Sequence, residues 1–189
     1  MVANSPDPVR PLGTFSFVFP MWNEEAIIER TVAAAREAGD RLVDEGEVGG
    51  YEIVIVDDAS TDATGAIADR LATELPNLVV VHHPVNRKLG GSIKTAFATA
   101  TGDYVLYTDA DLPFDLLDAV KAMRLMRVYE ADIVSAYRFD RTGEGPRRAI
   151  YSYAYNTLIR LLYGVRVRDV NFAFKLIRRE VLDKVELRS

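Results

Sequence analysis

The sequence of 189 residues contains no cysteine and no glutamine, and it has one tryptophan and two histidines. Without cysteine the chain forms no disulfide, binds no metal through thiolates and uses no thiol nucleophile. No run approaches the roughly 20 apolar residues of a membrane span. A G-x-G-x-x-G motif is also missing, which disfavours a dinucleotide-dependent oxidoreductase. Hydrophobic residues make up 49% of the chain and charged residues 27%, a composition typical of a globular protein rather than a disordered chain.

The beginning of the chain differs from the rest in composition. It is polar and rich in proline, and it lacks the apolar core of a signal peptide. We expect a flexible N-terminal tail over residues 1–13 and a single domain over residues 14–189, because no repeat, low-complexity tract or linker interrupts the remainder.

Charge is distributed unevenly around a net value of −5. Residues 1–136 carry 11 Lys and Arg against 22 Asp and Glu, whereas residues 137–189 carry 12 against 6. A basic final quarter suits contact with phosphates or with an anionic membrane. From charge alone, a solvated helical face explains it equally well.

Apolar runs alternate with helical patterns along the chain. Runs rich in β-branched and aromatic residues predict strands at Thr14–Phe19, Tyr51–Val56, Leu78–His82, Tyr104–Thr108 and Asp132–Tyr137. Helical spacing predicts helices over Glu24–Val43, Ser92–Thr101, Asp115–Val128 and Ala149–Leu162. A further helix, capped by Thr61 or Ser60, is predicted to run through Leu75. Asn23 is the predicted N-cap of the first helix. This alternation predicts an α/β fold, with a mostly parallel sheet, helices on both faces and ligands at the carboxyl ends of the strands.

Three predicted strands end in polar motifs. The first is followed by Pro20-Met21-Trp22-Asn23-Glu24, the second by Asp57-Asp58-Ala59-Ser60-Thr61-Asp62, and the fourth by Asp109-Ala110-Asp111. Side chains two apart in extended chain point the same way, so Asp109 and Asp111 could hold Mg²⁺ or Mn²⁺. The alternative is a pair of turn or capping residues before Pro113. One carboxylate of the Asp57-Asp58 pair could accept hydrogen bonds from a base or ribose; alternatively, Asp58 or Ser60 could cap the next helix.

The two histidines are adjacent, at positions 82 and 83. Consecutive residues of a strand face opposite sides, so we do not expect His82 and His83 to chelate a metal together.

Taken together, the strand-end motifs resemble those of the family 2 glycosyltransferases. The resemblance implies a GT-A fold, a Rossmann-like nucleotide-sugar domain. The segment Asn86-Arg87-Lys88-Leu89-Gly90-Gly91 resembles a further region of that family. Towards the end of the chain, Arg147-Arg148-x-x-Ser152-x-x-x-Asn156 and Asp169-Val170-Asn171-Phe172-Ala173-Phe174-Lys175 resemble the dolichyl- and polyprenyl-phosphate hexose synthases. The likeness covers about residues 14–186.

The resemblance implies roles for particular residues. Nucleotide-sugar binding falls to Pro20, Trp22, Asn23, Glu24, Asp57, Asp58, Lys88, Gly90, Asp109, Ala110 and Asp111, with Asp109 and Asp111 as the metal ligands. The implied catalytic residues are Asp111, Asp169, Arg138 and Lys175. The implied acceptor-phosphate residues are Arg147, Arg148, Ser152 and Lys175, the last of which lies in the apolar run Phe172–Ile177.

The expected function is the metal-dependent, inverting transfer of a hexose from a nucleotide sugar of the GDP-mannose or UDP-glucose type to polyprenyl or dolichyl phosphate. We expect it at the cytoplasmic face of a membrane, with peripheral attachment or a further C-terminal segment and without a nucleic-acid partner. A phosphate acceptor is already anionic near neutral pH and needs no strong base; if a base acts, Asp169 is the candidate. Without glutamine, the Q-x-x-R-W motif of processive polysaccharide synthases is absent.

Two alternatives remain open. One is a family 2 enzyme with a saccharide or small-molecule hydroxyl acceptor. The other is a non-catalytic nucleotide-sugar-binding module, because Pro113 stands where the lipid-phosphate synthases often carry a metal-contacting glutamine. Ala173 likewise replaces their usual glycine.

Overall fold

The computed structural model describes residues 12–137 and 172–185. Its strands are β1 (Thr14–Met21), β2 (Gly50–Asp57), β3 (Leu78–His82), β4 (Tyr104–Thr108), β5 (Ile133–Ser135) and β6 (Phe174–Arg178). Its helices are α1 (Ile28–Asp44), α2 (Thr64–Glu74), α3 (Lys88–Thr99), α4 (Asp118–Val128) and the short α5 (Arg179–Leu182).

The strands form a six-stranded sheet in the order β3-β2-β1-β4-β6-β5. Strands β3, β2, β1 and β4 pair in parallel, and β6 runs antiparallel to both of its neighbours, β4 and β5. The predicted α/β class and mostly parallel sheet are therefore confirmed. Strand β6 was not predicted, because the sequence interpretation treated Phe172–Ile177 only as an apolar run around Lys175.

Helices cover both faces of the sheet, as the near-continuous apolar strands predict. On one face Phe15, Phe17 and Phe19 of β1 pack in a core with α1, α2 and α4. On the other face Val18 of β1 and valines of β2 and β4 pack against Ala96 and Phe97 of α3. Alternate residues of one strand thus supply two cores, which holds the strand ends rigidly at a common edge.

Strand β1 continues into a loop rather than directly into a helix. Helix α1 begins at Ile28, so the predicted start at Glu24 and the predicted N-cap at Asn23 are wrong. Asn23 has a left-handed backbone with φ of +58°, and its Oδ1 accepts a hydrogen bond from the Thr61 N–H at 2.8 Å. The side chain expected to cap a helix instead joins the loops that follow β1 and β2.

Other predicted boundaries also shift. Neither Ser60 nor Thr61 caps α2, which begins at Thr64 without a side-chain cap; the Ser60 N–H is bound to Asp57 instead. Helix α3 begins before the predicted start, and α4 begins after it. The predicted helix Ala149–Leu162 lies outside the described residues.

A helix that spans a membrane needs about 20 predominantly apolar residues. Among the helices of residues 12–137 and 172–185, none combines the required length and hydrophobicity.

Candidate active site

A cleft of about 450 Å³ opens at the edge of the sheet where β1, β2 and β4 end. This volume lies in the range typical of small-molecule sites. The cleft is lined by Pro20, Met21, Trp22, Glu24, Asp58, Asn86, Lys88, Leu89, Ser92, Asp109, Ala110 and Asp111. The structure therefore brings together residues from three strand-end motifs and from the start of α3.

A larger groove of about 820 Å³ lies between α1 and α4. Its walls are residues of these two helices and of the positions next to them, many of them charged and of both signs, and none comes from the ends of the strands. Because ligands of open α/β sheets bind at the carboxyl ends of the strands, the smaller cleft is the better candidate site.

Backbone strain collects in the loops around the cleft. Four residues with a Cβ have a left-handed backbone there: Asn23, Ala59, Lys88 and Leu112, with φ between +48° and +64°. One of them follows each of β1, β2, β3 and β4. Such conformations cost about 1–3 kcal/mol each and collect at functional sites, where the surroundings enforce them.

Carboxylates crowd one side of the cleft. Glu24, Asp109 and Asp111 all line it. Burial raises the pKa of Glu24, and the nearby negative charges of Asp111, Asp62 and Asp109 raise it further. A cation bound among these groups would relieve this repulsion.

Neighbouring elements hold the Asp109-Ala110-Asp111 segment in place. The Tyr107 hydroxyl donates to Asp109 Oδ1 at 3.0 Å, and burial, followed by the charge of Asp109, raises the pKa of that hydroxyl well above its usual range. From α1, the Thr31 hydroxyl donates to the Ala110 carbonyl at 2.6 Å and Arg30 donates to the Asp111 carbonyl at 3.3 Å. The segment is thus fixed through its backbone as well as through one carboxylate.

The donor set fits a hard divalent cation. In the described part of the chain, no three His, Asp or Glu side chains come close enough together to hold a metal by themselves. Mg²⁺ is typically bound by one or two carboxylates, with water and substrate phosphates as the other ligands. Two aspartates beside an open cleft match that pattern.

Asp57 and Asp58 have separate environments. Asp57 does not line the cleft: its Oδ1 accepts from the Ser60 N–H at 3.0 Å and its Oδ2 bonds to His82 Nδ1 at 2.9 Å. Asp58 lines the cleft, and its Oδ1 bonds to the Arg87 N–H at 2.7 Å and to His83 Nδ1 at 2.6 Å.

Both carboxylates are ionised near neutral pH. Burial by itself would raise the pKa of Asp58, but hydrogen bonds from the Arg87 N–H and His83 outweigh it and lower that pKa. Burial likewise opposes ionisation of Asp57, and hydrogen bonds from Ser60 and His82 lower its pKa overall. Asp58 is therefore a buried, charged acceptor at the wall of the cleft.

The other predicted site residues lie elsewhere. Asn23 and Gly90 do not line the cleft. Lys175 lies on β6, where its Nζ donates to Ser135 Oγ and to the Phe172 carbonyl, each at 3.1 Å. Its register partner on β4 is Tyr107, the residue that binds Asp109. Arg138, Arg147, Arg148, Ser152 and Asp169 lie outside the described residues.

Four lining residues were not assigned from the sequence: Met21, Asn86, Leu89 and Ser92. Asn86 and Leu89 belong to the segment Asn86–Gly91, whose resemblance to the family could have indicated that they lie at the site. The Asn86 amide donates to the Asp58 carbonyl at 3.1 Å, and its Oδ1 accepts from the Lys88 N–H at 3.0 Å. It therefore joins the loop after β2 to the start of α3.

Comparison with known proteins identifies the family. The model of glycosyl transferase family 2 matches residues 16–186, nearly the whole chain. The chain belongs to this family. The resemblance drawn from the strand-end motifs is thereby confirmed.

Two curated relatives are matched over most of this chain but over only part of their own length. It is 33% identical over 171 residues to glycosyltransferase AglD of Haloferax volcanii, covering 89% of this chain and 27% of the relative. It is also 33% identical over 196 residues to a polyprenol monophosphomannose synthase of Mycolicibacterium smegmatis, covering 96% of this chain and 68% of the relative. The chain thus spans from about a quarter to about two thirds of the length of these relatives.

A solved structure with a similar fold is that of the mannosyltransferase PcManGT of Pyrobaculum calidifontis, determined in complex with GDP-Man and Mn²⁺. The TM-score is 0.64 at 24% identity, with coverage of 95% of this chain and 48% of that one. The fold of this family 2 chain is the GT-A fold that the resemblance implied.

Proposed function

We propose that this family 2 chain transfers a hexose from a nucleotide sugar to polyprenyl or dolichyl phosphate, with inversion at the anomeric carbon and at the cytoplasmic face of a membrane. The observation that carries the proposal is that Asp58, Asp109 and Asp111 line the same cleft. The name of the mycobacterial relative, a polyprenol monophosphomannose synthase, supports the acceptor.

Donor recognition falls to residues that line the cleft. The ionised Asp58 accepts hydrogen bonds from the nucleoside, either from a base N–H or from a ribose hydroxyl. The Trp22 indole is 55% exposed and offers an aromatic surface on which a base or sugar can stack. Lys88, at the start of α3, supplies positive charge for the diphosphate. Asp57 has a structural role, since its carboxylate is held by Ser60 and His82 away from the cleft.

Asp109 and Asp111 would hold Mg²⁺ or Mn²⁺. A divalent cation bound there would act as a Lewis acid that neutralises charge on the departing nucleoside diphosphate. The chain contributes positioning: Tyr107 orients the Asp109 carboxylate, and α1 holds the backbone of Ala110 and Asp111. These contacts hold the Asp109-Ala110-Asp111 segment in a defined position, as electrostatic stabilisation of a leaving group requires.

A lipid phosphate acceptor fits a site that relies on positioning. Its oxygen is already anionic near neutral pH, so no residue has to remove a proton from it. We assign the attraction of that charge to Lys175 of β6, the strand that pairs with β4. Arg147, Arg148 and Ser152 are the other proposed acceptor-phosphate residues, Arg138 is a further proposed catalytic residue, and Asp169 is the candidate base if a base acts.

The test is a transfer assay on the full 189-residue chain. Radiolabelled GDP-mannose or UDP-glucose is supplied with polyprenyl phosphate and Mn²⁺ or Mg²⁺, and the products are partitioned between organic and aqueous phases. Label in the organic phase supports the proposal. Label in a water-soluble saccharide supports the hydroxyl-acceptor alternative, and donor binding without transfer supports the binding-module alternative.

The role of Asp111 is tested with Asp111→Asn in the same assay. We expect transfer to fall by about 100-fold or more, because a charged ligand near the leaving group is lost. Thermal stability should stay unchanged, since the Asp111 side chain is exposed. Asp115→Asn is the matched control: Asp115 is exposed four residues further on, and its Oδ1 accepts from the Leu117 N–H at 2.9 Å outside the cleft. Equal activity in the two variants contradicts the metal role.

A further inference from the structure

The two histidines each bind one of the two adjacent aspartates. In the parallel register of β2 and β3, Asp57 is the partner of His82, which also brings His83 beside Asp58. Consecutive side chains of a strand point to opposite faces. His82 therefore meets Asp57 and Asp69, whereas His83 meets Asp58 and Thr95.

The hydrogen bonds determine which nitrogen of His83 carries its proton. The ionised Asp58 carboxylate is only an acceptor, so the 2.6 Å contact requires a proton on His83 Nδ1. In the neutral ring, Nε2 then accepts from the Thr95 hydroxyl at 2.8 Å. His83 is a bridge from Asp58, at the end of β2, to the middle of α3.

His83 lies behind Asp58 rather than in the cleft. The side chains of His83 and Asp58 are 3% and 5% exposed, and only Asp58 lines the cleft. With the Arg87 N–H and His83 both bonded to Oδ1, the rotation of the carboxylate is fixed. A carboxylate has lone pairs for about four hydrogen bonds, so acceptor capacity remains for a ligand.

We propose that His83 is a positioning residue for the donor: it orients Asp58 so that the carboxylate accepts hydrogen bonds from the nucleoside of the nucleotide sugar. The inference rests on the proposed function, because it takes Asp58 as the nucleoside contact. His83 touches no substrate, and it acts only through Asp58.

The test measures the affinity of GDP and UDP with Mn²⁺ by calorimetry, and the KM and kcat of transfer, on the full chain. We expect His83→Ala to weaken binding of the preferred nucleotide by about tenfold, a fraction of what a charge-assisted hydrogen bond contributes. KM should rise with little change in kcat. His83→Asn, whose amide nitrogen can take the place of Nδ1, should restore most of the affinity, and His83→Gln, which reaches only towards Thr95, should not.

A double-mutant cycle separates positioning from general destabilisation. If His83 acts through Asp58, adding His83→Ala to Asp58→Asn should weaken binding no further. The matched control is His82→Ala, which removes the neighbouring histidine and its bond to Asp57, and which should leave nucleotide affinity within about twofold. His83→Asn and His83→Gln, which keep a polar side chain at the site, make the test possible even if the alanine variant does not fold.

These measurements distinguish a failure of the proposed donor contact from a failure of the role assigned to His83. If Asp58→Asn leaves nucleotide affinity unchanged, the proposed donor contact and this inference are both overturned. If Asp58→Asn weakens binding while His83→Ala and His83→Gln bind normally, only the role of His83 is overturned. Additive losses in the double variant also overturn it.

Discussion

At the scale of the residue, side chains around the cleft are held by partners far away in the chain. Asn23 lies in the loop after β1, yet its Oδ1 accepts from the Thr61 N–H in the loop after β2. The Glu24 N–H donates to Thr64 Oγ1 at 2.7 Å, which joins the loop after β1 to the start of α2. These bonds stabilise loop conformations that are unfavourable by themselves: Asn23 has φ of +58°, and so does Ala59, two residues before Thr61.

Replacing Ala59 with glycine should stabilise the protein. The left-handed conformation costs a residue with a Cβ about 1–2 kcal/mol, and glycine avoids that cost while losing more entropy on folding. We expect Ala59→Gly to raise the free energy of unfolding in urea by up to about 1 kcal/mol. The control is Ala33→Gly in the interior of α1, an exposed helical position where glycine should cost about 1 kcal/mol. A lower unfolding free energy for Ala59→Gly would contradict the strain at this position.

At the scale of the element, single side chains join helices to the sheet. The Arg179 guanidinium at the start of α5 donates to the carbonyls of Phe97, Ala100 and Gly102, satisfying groups that the end of α3 leaves free. His82 of β3 likewise joins its own strand to β2 and to α2. Its Nδ1 bonds to Asp57 of β2 and its Nε2 to Asp69 of α2, each at 2.9 Å.

The His82 contacts predict a pH dependence of stability. Hydrogen bonds to Asp69 and then Asp57 raise the pKa of His82 above its ordinary value of 6.5. A raised pKa in the folded state stabilises the protein fully below the unfolded pKa, and this contribution is lost as pH rises through the folded pKa. We therefore expect the difference in unfolding free energy between the wild type and His82→Asn to be larger at pH 6 than at pH 8.5. Urea titrations at both pH values measure it, and a difference that is constant or that grows with pH would disprove this linkage.

At the scale of the whole molecule, the unequal charge of the chain is the main global feature. Residues 1–136 have 11 basic and 22 acidic residues, a net charge of −11. Residues 137–189 have 12 basic and 6 acidic residues, a net charge of +6. Lys175, Arg178 and Arg179 of the basic part lie in β6 and α5, at the antiparallel side of the sheet. A protein acting on a lipid phosphate gains from positive charge on the side that faces an anionic surface.

Binding to vesicles should therefore depend on salt. We expect the full chain to sediment with vesicles that contain polyprenyl phosphate and an anionic phospholipid at low ionic strength. We expect it to be released at about 1 M salt, where the screening length is about 3 Å. Vesicles of neutral phosphatidylcholine alone are the control. Equal binding to both vesicle types, or binding insensitive to salt, would contradict an electrostatic contact.

Local patterns of the sequence sufficed to predict the α/β class and the positions of five strands, and the motifs at the strand ends sufficed to indicate the family. Period-two and period-3.6 spacing act over a few residues, and the rule that ligands bind at carboxyl strand ends then locates the site. Most of the residues expected to bind the nucleotide sugar and metal line the cleft for this reason. Their roles in binding and transfer stay predictions.

Only the tertiary structure decided which distant residues meet. Strand β6 pairs with β4 although Phe174 and Thr108 are far apart in the chain, and no local pattern encodes such a pairing. The different environments of Asp57 and Asp58 depend on which histidine each one reaches: His82 of β3 for Asp57, and His83 directly after β3 for Asp58. Asn23 does not cap α1 because its Oδ1 accepts a hydrogen bond from the Thr61 N–H, which lies in the loop after β2. A short stretch of sequence carries its own periodicity, whereas hydrogen-bond partners are chosen by the whole fold.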